Sequence, residues 1–520
     1  MVIFELVIAL LLVGAVLAQW AVRLGVPYPA LLALAGAGLA LVPGTPQVML
    51  DPQLALALFV APALLDAAYD ASPRDLKANL RPVISLALTM VALTIGAVAL
   101  VVRRFVPDMG WPAAIALGAI VAPSDASAAT AVLRQLKLPH RVLIILEGES
   151  LFNDASALLI YRMAVAAAMT GAVSGWSVIP TFLLTCGGGV IAGIILARIY
   201  LWITSRVSDI PISVLLQFVG TFSVWLLADR MGLSAIITVV SYAMTLARSA
   251  PGRSDARHRI SSYAVWEVVV FVLNVLAFVL IGLQLRGILT RMHGEDVHTY
   301  GLCAAAVCAT VILVRILWVA FNTTFVRWKA RRWRSSKKTT ANFGTAAVIS
   351  WCGMRGIVTL AAALALPDGG FPYRDLIILC AFCVVLTTLV LQGMTLRPLM
   401  AWLALKDDGS VEREVRIARI ETARAALQAL EREEPEPAVE ILRREYEARL
   451  RSSESDPVKE PPVSGAPTIT ELQQRAVLAQ RRALIDLRSR SVIGDDAFHA
   501  AEEEIDLLEL TGDSRIRPTP

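Results

Sequence analysis

Charge is scarce in this chain. Of its 520 residues only 18% are Asp, Glu, Lys or Arg, 56% are hydrophobic, and mean hydropathy is +0.64. Chains that fold in water carry roughly 25% charged residues, so the composition excludes a disordered chain or a secreted disulfide scaffold and indicates a polytopic membrane protein. Histidine is scarcer still. The five histidines, His140, His258, His293, His298 and His499, all lie outside the apolar runs. Their placement argues against an intramembrane Ser–His hydrolase or a zinc protease. Six cysteines, Cys186, Cys303, Cys308, Cys352, Cys380 and Cys383, all fall inside apolar runs, and the C-x-x-C of Cys380 and Cys383 has no histidine near it. They read as small buried hydrophobes, not as a metal or redox centre. The formal net charge of +5 is modest and its basic residues sit in loops. No nucleic-acid partner, cofactor or enzymatic activity is expected.

What the chain has instead is a series of apolar runs. A membrane helix needs about 20 apolar residues, and spans are expected near 3–19, 28–43, 53–68, 82–103, 112–135, 141–165, 177–203, 211–228, 233–248, 263–286, 299–322, 343–366 and 375–403. The second and third are short enough to form one re-entrant pair. The first lacks a basic leader and carries Glu5, so it reads as a span, not a signal peptide. Residues 1–404 are thus expected to form an all-α transmembrane domain of thirteen helices. Residues 405–520 are expected to form a soluble tail with helices near 411–433, 436–452, 468–490 and 496–510 and a Pro-rich linker at 455–467.

Alternate loops differ in basic content. One set holds Arg23, Arg74, Lys77, Arg81, Arg134, Lys137, Arg141, Arg206, Arg253, Arg257, Arg259 and the run Arg327 to Lys338. That set is expected to face the cytoplasm, with the N-terminus outside and the tail inside. The tryptophans interleaved in the run Arg327-Trp328-Lys329-Ala330-Arg331-Arg332-Trp333-Arg334 suit an interfacial anchor on anionic lipid.

An ionisable residue inside a bilayer is costly and is a functional candidate by default. The spans contain Asp66, Asp125, Glu147, Glu149, Asp154, Arg162, Arg198, Glu267, Arg315 and Arg355. Arg162, Arg198 and Arg315 lie near span ends and are expected to snorkel to the interface. Asp154, Asp125 and Arg355 lie roughly 18–20 Å into their spans at about 1.5 Å per residue, close to the midplane of a core about 30 Å thick. Lone charges there cost several kcal/mol, so these three are expected to face one another or water.

Two of them sit on interrupted helices. Pro123 in Ala122-Pro123-Ser124-Asp125 removes a helix hydrogen bond, and glycines flank Met354-Arg355 in Cys352-Gly353-Met354-Arg355-Gly356. Paired interruptions seven spans apart point to inverted repeats and to a binding site where the breaks cross. The sixth span carries Glu147-Gly148-Glu149-Ser150-Leu151-Phe152-Asn153-Asp154. Its three- and four-residue spacing places Glu149, Ser150, Asn153 and Asp154 on one face. The face offers carboxylate, hydroxyl and amide oxygens, which suit a small hard cation. Glu149 is equally placed to pair with Arg355. A channel is disfavoured because no carbonyl-lined filter motif is visible. An aspartyl protease using Asp125 and Asp154 needs two carboxylates sharing one proton, which Asn153 and Arg355 nearby fit poorly.

These stretches, with Ser350-Trp351-Cys352-Gly353-Met354-Arg355-Gly356 continuing through Ala363, and Phe271-Val272-Leu273-Asn274 followed by Phe278 to Leu285, resemble a bacterial monovalent cation:proton antiporter of family 1, the sodium/proton exchanger group. The resemblance covers essentially the whole membrane part. It implies two inverted six-helix repeats, a homodimer in the bacterial plasma membrane, and exchange of Na⁺, with Li⁺ or K⁺ as alternatives, for H⁺ in the service of cytoplasmic pH and cation balance. Asp154 would carry either the proton or the cation. Asn153 would support the fifth span, and Ser124, through its carbonyl, would join Glu149 and Ser150 around the cation beside Asp125. Arg355 would balance the acidic cluster, and Asp66 and Glu267 would line an inner funnel. The family usually has Thr where Ser124 stands and often Glu where Asp66 stands.

Overall fold

The computed structural model describes residues 2–24, 26–43, 51–125, 129, 139–171, 178–207, 209–249, 256–291, 296–332, 343–367, 370–403, 409–434, 436–454 and 470–513. The expected Pro-rich linker, His293 and residues 126–135 of the fifth span, apart from Ala129, lie outside those residues. In chain order the helices are α1 (Val2–Leu24), α2 (Tyr28–Ala40), α3 (Pro52–Asp70), α4 (Leu80–Phe105), α5 (Trp111–Val121), α6 (His140–Thr170), α7 (Val178–Thr204), α8 (Ile210–Arg230) and α9 (Ala235–Ser249). There follow α10 (Ala256–Arg291), α11 (Asp296–Arg332), α12 (Phe343–Trp351), α13 (Ile357–Leu364) and α14 (Arg374–Leu403), then α15 (Ser410–Leu430), α16 (Pro437–Glu454), α17 (Thr470–Ser489) and α18 (Asp495–Asp513). A short helix, Pro73–Ala78, links α3 to α4.

Helix ends follow local chemistry. Asp51 caps α3 by accepting from the Gln53 and Leu54 N–H groups at 2.8 and 3.0 Å. Gly171, in the left-handed region with φ 73°, stops α6. By length and hydropathy seven helical stretches among the described residues suffice to cross a membrane, fewer than the thirteen spans expected. One of the missing six is α1, which counts only through its apolar stretch Val7–Ala21; the other five have a physical cause. Helices α2, α5 and α9 have 11 to 15 residues, the twelfth span is split into α12 and α13, and α6 carries Arg141, Glu147, Glu149, Asp154 and Arg162. Such elements cannot face lipid alone. They are covered by their neighbours.

A large apolar core joins α4, α5, α6, α11 and α14 to α2 and the middle of α10. A second core joins α3, α7, α8 and α9. Helices α2 and α10 approach each other closely. A Cβ on Gly36 would strike the Val279 carbonyl, and one on Gly282 would strike the Ala33 carbonyl. In a bilayer, where apolar burial between helices gains little, such small-residue contacts are what hold helices together.

Helices α10 and α11 run 36 and 37 residues. At about 1.5 Å per residue they exceed the bilayer core by more than 20 Å. Hydropathy alone ends the eleventh span near residue 322, which puts Arg315 close to its end. In the structure Arg315 lies near the middle of the helix, and its side chain is fully buried. It does not snorkel. Arg198 is exposed, and Arg162 reaches Asp229 on α8 at 2.7 Å with both side chains well exposed.

Candidate functional site

The chain is not helical at 122–125 and 352–356, and these two stretches touch. The Asp125 N–H donates to the Met354 carbonyl at 2.7 Å. Gly356 is needed at this crossing, because a Cβ there would occupy the space of the Asp125 carboxylate. Breaking a helix in an apolar setting leaves carbonyls unpaired at its last turn, and two buried arginines serve them. Arg355 Nε donates to the Val121 carbonyl at the end of α5, at 3.1 Å. Arg315 Nε donates to the Ile349 carbonyl near the end of α12, at 3.0 Å. A cation at the C-terminal end of a helix also meets the negative end of its dipole.

Helix α6 passes behind the first break. Asn153 Nδ2 donates to the Ser124 carbonyl at 3.2 Å and to its Oγ at 2.9 Å, and Ser124 Oγ donates to Glu149 Oε1 at 2.6 Å. Glu149 accepts from Arg315 through both oxygens, the Nη2–Oε2 bond being 2.8 Å, and neither side chain is exposed. The pair is bidentate and fully desolvated, the geometry in which an arginine–carboxylate bond is strongest. One turn further on, Ser156 Oγ donates to the Ala87 carbonyl of α4 at 2.9 Å. The face predicted from the spacing of Glu149, Ser150, Asn153 and Asp154 is therefore divided between two jobs. Glu149 and Asn153 hold the broken backbone; Ser150 and Asp154 face a cavity.

That cavity has a volume of about 980 Å³. Helices α3 and α10 form one wall; α6 and the crossing form the other. Six carboxylates line it, Asp66, Asp70, Asp125, Glu147, Asp154 and Glu267, together with Ser124, Ser150 and Asn274, and no Lys, Arg or His does so among the described residues. A concave, low-dielectric surface with charge of one sign focuses a field that concentrates cations. It extends from Asp70 and Tyr263, near helix ends, to Asp125 and Asp154 at the crossing.

The membrane part as a whole matches the model of the transmembrane sodium/hydrogen exchanger family over residues 7–402. The chain belongs to this family. An uncharacterized Na⁺/H⁺ exchanger of Mycobacterium tuberculosis is 31% identical over 529 residues, covering 98% of this chain and 96% of its own. A sodium, potassium, lithium and rubidium/H⁺ antiporter of Bacillus pumilus is 31% identical over 461 residues, covering 83% of this chain and 67% of its own. The solved structure of the sodium proton antiporter MjNhaP1 from Methanocaldococcus jannaschii superposes with a TM-score of 0.60 at 19% identity, over 77% of this chain and 98% of that one. Membership of this family makes the protein a multi-pass membrane transporter and not an enzyme.

Within the exchanger, two sequence expectations are corrected. Arg355 makes no ion pair with Asp125 or Asp154 among the described residues. It bonds the Val121 and Gly353 carbonyls. The carbonyls that the break leaves unpaired take up its donors instead. Glu149 pairs with Arg315, not Arg355, and it stands behind Ser124 instead of on the cavity wall. Asp66 and Glu267 both line the cavity, as do Asp125, Ser124, Ser150 and Asp154. Sequence reasoning missed Arg315 as a partner in the site and also missed Thr388, whose Oγ1 accepts the Arg355 N–H at 3.0 Å. Thr388 begins a wide helical turn, Thr388–Gln392, and such turns recur at functional sites.

Proposed function

We propose that the exchanger carries a monovalent cation, Na⁺ with Li⁺ and K⁺ as alternatives, against H⁺ by competition for the Asp154 carboxylate. A single carboxylate binds a proton or a cation, not both. Ligands for the cation are the oxygens that face the cavity at the crossing: the Asp154 carboxylate, the Ser150 hydroxyl, the Ser124 carbonyl and the neighbouring Asp125. Hard oxygen donors of this kind suit an alkali cation. Asn153 and the Glu149–Arg315 pair fix the Ser124 backbone in place without touching the ion. Asp66 and Glu267 form the funnel that draws cations toward Asp154. Rocking of one bundle against the other then exposes the loaded site on alternate sides.

The observation that carries this reading is the placement of Asp154 on a cavity wall whose charged side chains, among the described residues, are all carboxylates, beside two crossing chain breaks. The tail contacts Arg74, His140 and Arg259, which belong to or adjoin the loops richer in Lys and Arg. That supports a cytoplasmic tail and an outside N-terminus, while residence in the bacterial inner membrane follows from the family resemblance. A homodimer, the role in pH and cation homeostasis, and the division into a membrane domain and a tail domain near residue 404 follow from the family resemblance and the composition.

The test is Asp154→Asn in proteoliposomes. Cation-driven proton movement is expected to vanish while the protein still purifies as a folded species. Exchange that survives the substitution would remove Asp154 from the mechanism.

A further inference from the structure

The tail is tied to both walls of the cavity. On the α6 side, Asp496 of α18 lies 3.0 Å from His140 Nδ1, and the other imidazole nitrogen lies 3.7 Å from Asp75 on the short helix 73–78. Arg74 on that short helix bonds Glu414 of α15 at 2.7 Å. On the α10 side, Asp506 of α18 binds Arg259 at 2.5 Å and Arg481 of α17 at 2.6 Å, with all three side chains largely buried. Arg488 of α17 donates to the Ala247 carbonyl near the end of α9 at 3.1 Å. Between these attachments the His499 ring stacks on Tyr69 of α3, with centroids 6.4 Å apart, and meets Tyr263 edge-on at 6.3 Å. Tyr263 lines the cavity. One 19-residue helix, α18, therefore spans from the start of α6, which carries Asp154, to the start of α10, which forms the facing wall.

We propose that the tail is a clasp joining α6 to α10 across the cavity, that it slows exchange by resisting their relative movement, and that the His140–Asp496 link is the part alkaline pH undoes. The proposal rests on the exchange reading given above. Burial of His140 disfavours its charged form, but Asp496 and Asp75 outweigh this and push its pKa up to about 10 from the ordinary 6.5. The groups facing it are Asp496 from α18 and Asp75 from the short helix. Arg74 is bound to Asp75 and Glu414, and Arg141 turns away to Asn79. Because the folded-state pKa is raised, the link is complete below about pH 6.5 and is lost as pH climbs through about 10. The transporter is thus held back at neutral pH and released as its tail compartment becomes alkaline.

Full-length protein in liposomes tests this. Asp496→Asn cuts the tail link and leaves the His140–Asp75 contact. It is expected to exchange roughly threefold faster than the parent at neutral pH, with a flatter pH profile. His140→Lys keeps a cation at that position and is expected to hold the slow rate further into the alkaline range. A parent rate and profile in Asp496→Asn overturns the clasp. Deuterium uptake by residues 495–507 at neutral pH reads the clasp without any transport. Faster uptake in Asp496→Asn supports it, and unchanged uptake overturns it. A parent protein that moves no protons with any cation overturns the exchange reading alone, because the uptake arm still decides the clasp.

Discussion

Arginine–carboxylate pairs occur in two regions of this molecule, and their surroundings make them different devices. At the crossing, Glu149 and Arg315 meet with no exposure on either side, and Arg315 also serves a carbonyl left over by the broken α12. In the tail, Arg444 and Glu440 pair along α16 with 77% and 55% of their side chains exposed. The Coulomb attraction at contact is large in a dry interior and about 1 kcal/mol in bulk water. The buried pair is therefore a fixed part of the architecture. The exposed one can open and close without consequence. The His140–Asp496 link of the clasp, with 18% and 47% of its side chains exposed, lies between these extremes, and a regulatory contact needs that middle range: strong enough to hold, weak enough to be undone by the loss of one proton.

The comparison breaks most visibly at the crossing. Glu149→Ala leaves the Arg315 guanidinium buried without its counter-ion, and stripping one partner from a buried pair costs about 3–5 kcal/mol. Thermal unfolding in detergent should show a large fall in stability, with exchange lost in the surviving protein. The double variant Glu149→Gln with Arg315→Gln should be clearly milder than the two single losses added together. Strict additivity would mean that the pair is not a unit.

A smaller effect is expected where backbone approaches side chain. Gly356→Ala inserts a methyl group into the space of the Asp125 carboxylate. Overpacking of this kind costs about 1–3 kcal/mol. The expected result is a folded protein whose exchange falls more than its stability, since the displaced group sits on the cavity wall. Equal stability and equal exchange would show that Asp125 has room to move and that the crossing is looser than its contacts imply.

Much of the crossing is legible in the sequence. The Pro123 break, the Gly-flanked Arg355 and the helical spacing of Ser150, Asn153 and Asp154 are local signals, each contained within one turn or one interruption, and all of them mark the place where the two chain breaks meet. What failed to show was non-local. Arg315 looked like a residue near a span end because hydropathy marks where apolar residues stop, not where a helix stops, and α11 continues well past that point. The orientation of Arg355 depends on which carbonyls a break leaves unpaired, a fact of the other helix. The Arg259–Asp506 contact joins positions 247 apart in sequence, and neither residue carries a mark of its partner in its own neighbourhood.

The smallest effect sharpens the comparison from its other end. Arg444→Ala removes an i,i+4 pair on the exposed face of α16, where side-chain entropy and screening offset most of the attraction. The change in unfolding free energy should stay within about 0.5 kcal/mol, and added salt should erase even that. Exchange and its pH profile should match the parent, because α16 meets the cavity walls neither through His140 nor through Arg259. If Arg444→Ala instead altered the pH profile as Asp496→Asn is expected to, the control would lie in the tail's charge as a whole. The clasp would then owe nothing to its particular pairs, and the contrast between buried and exposed pairs would no longer explain how the tail acts.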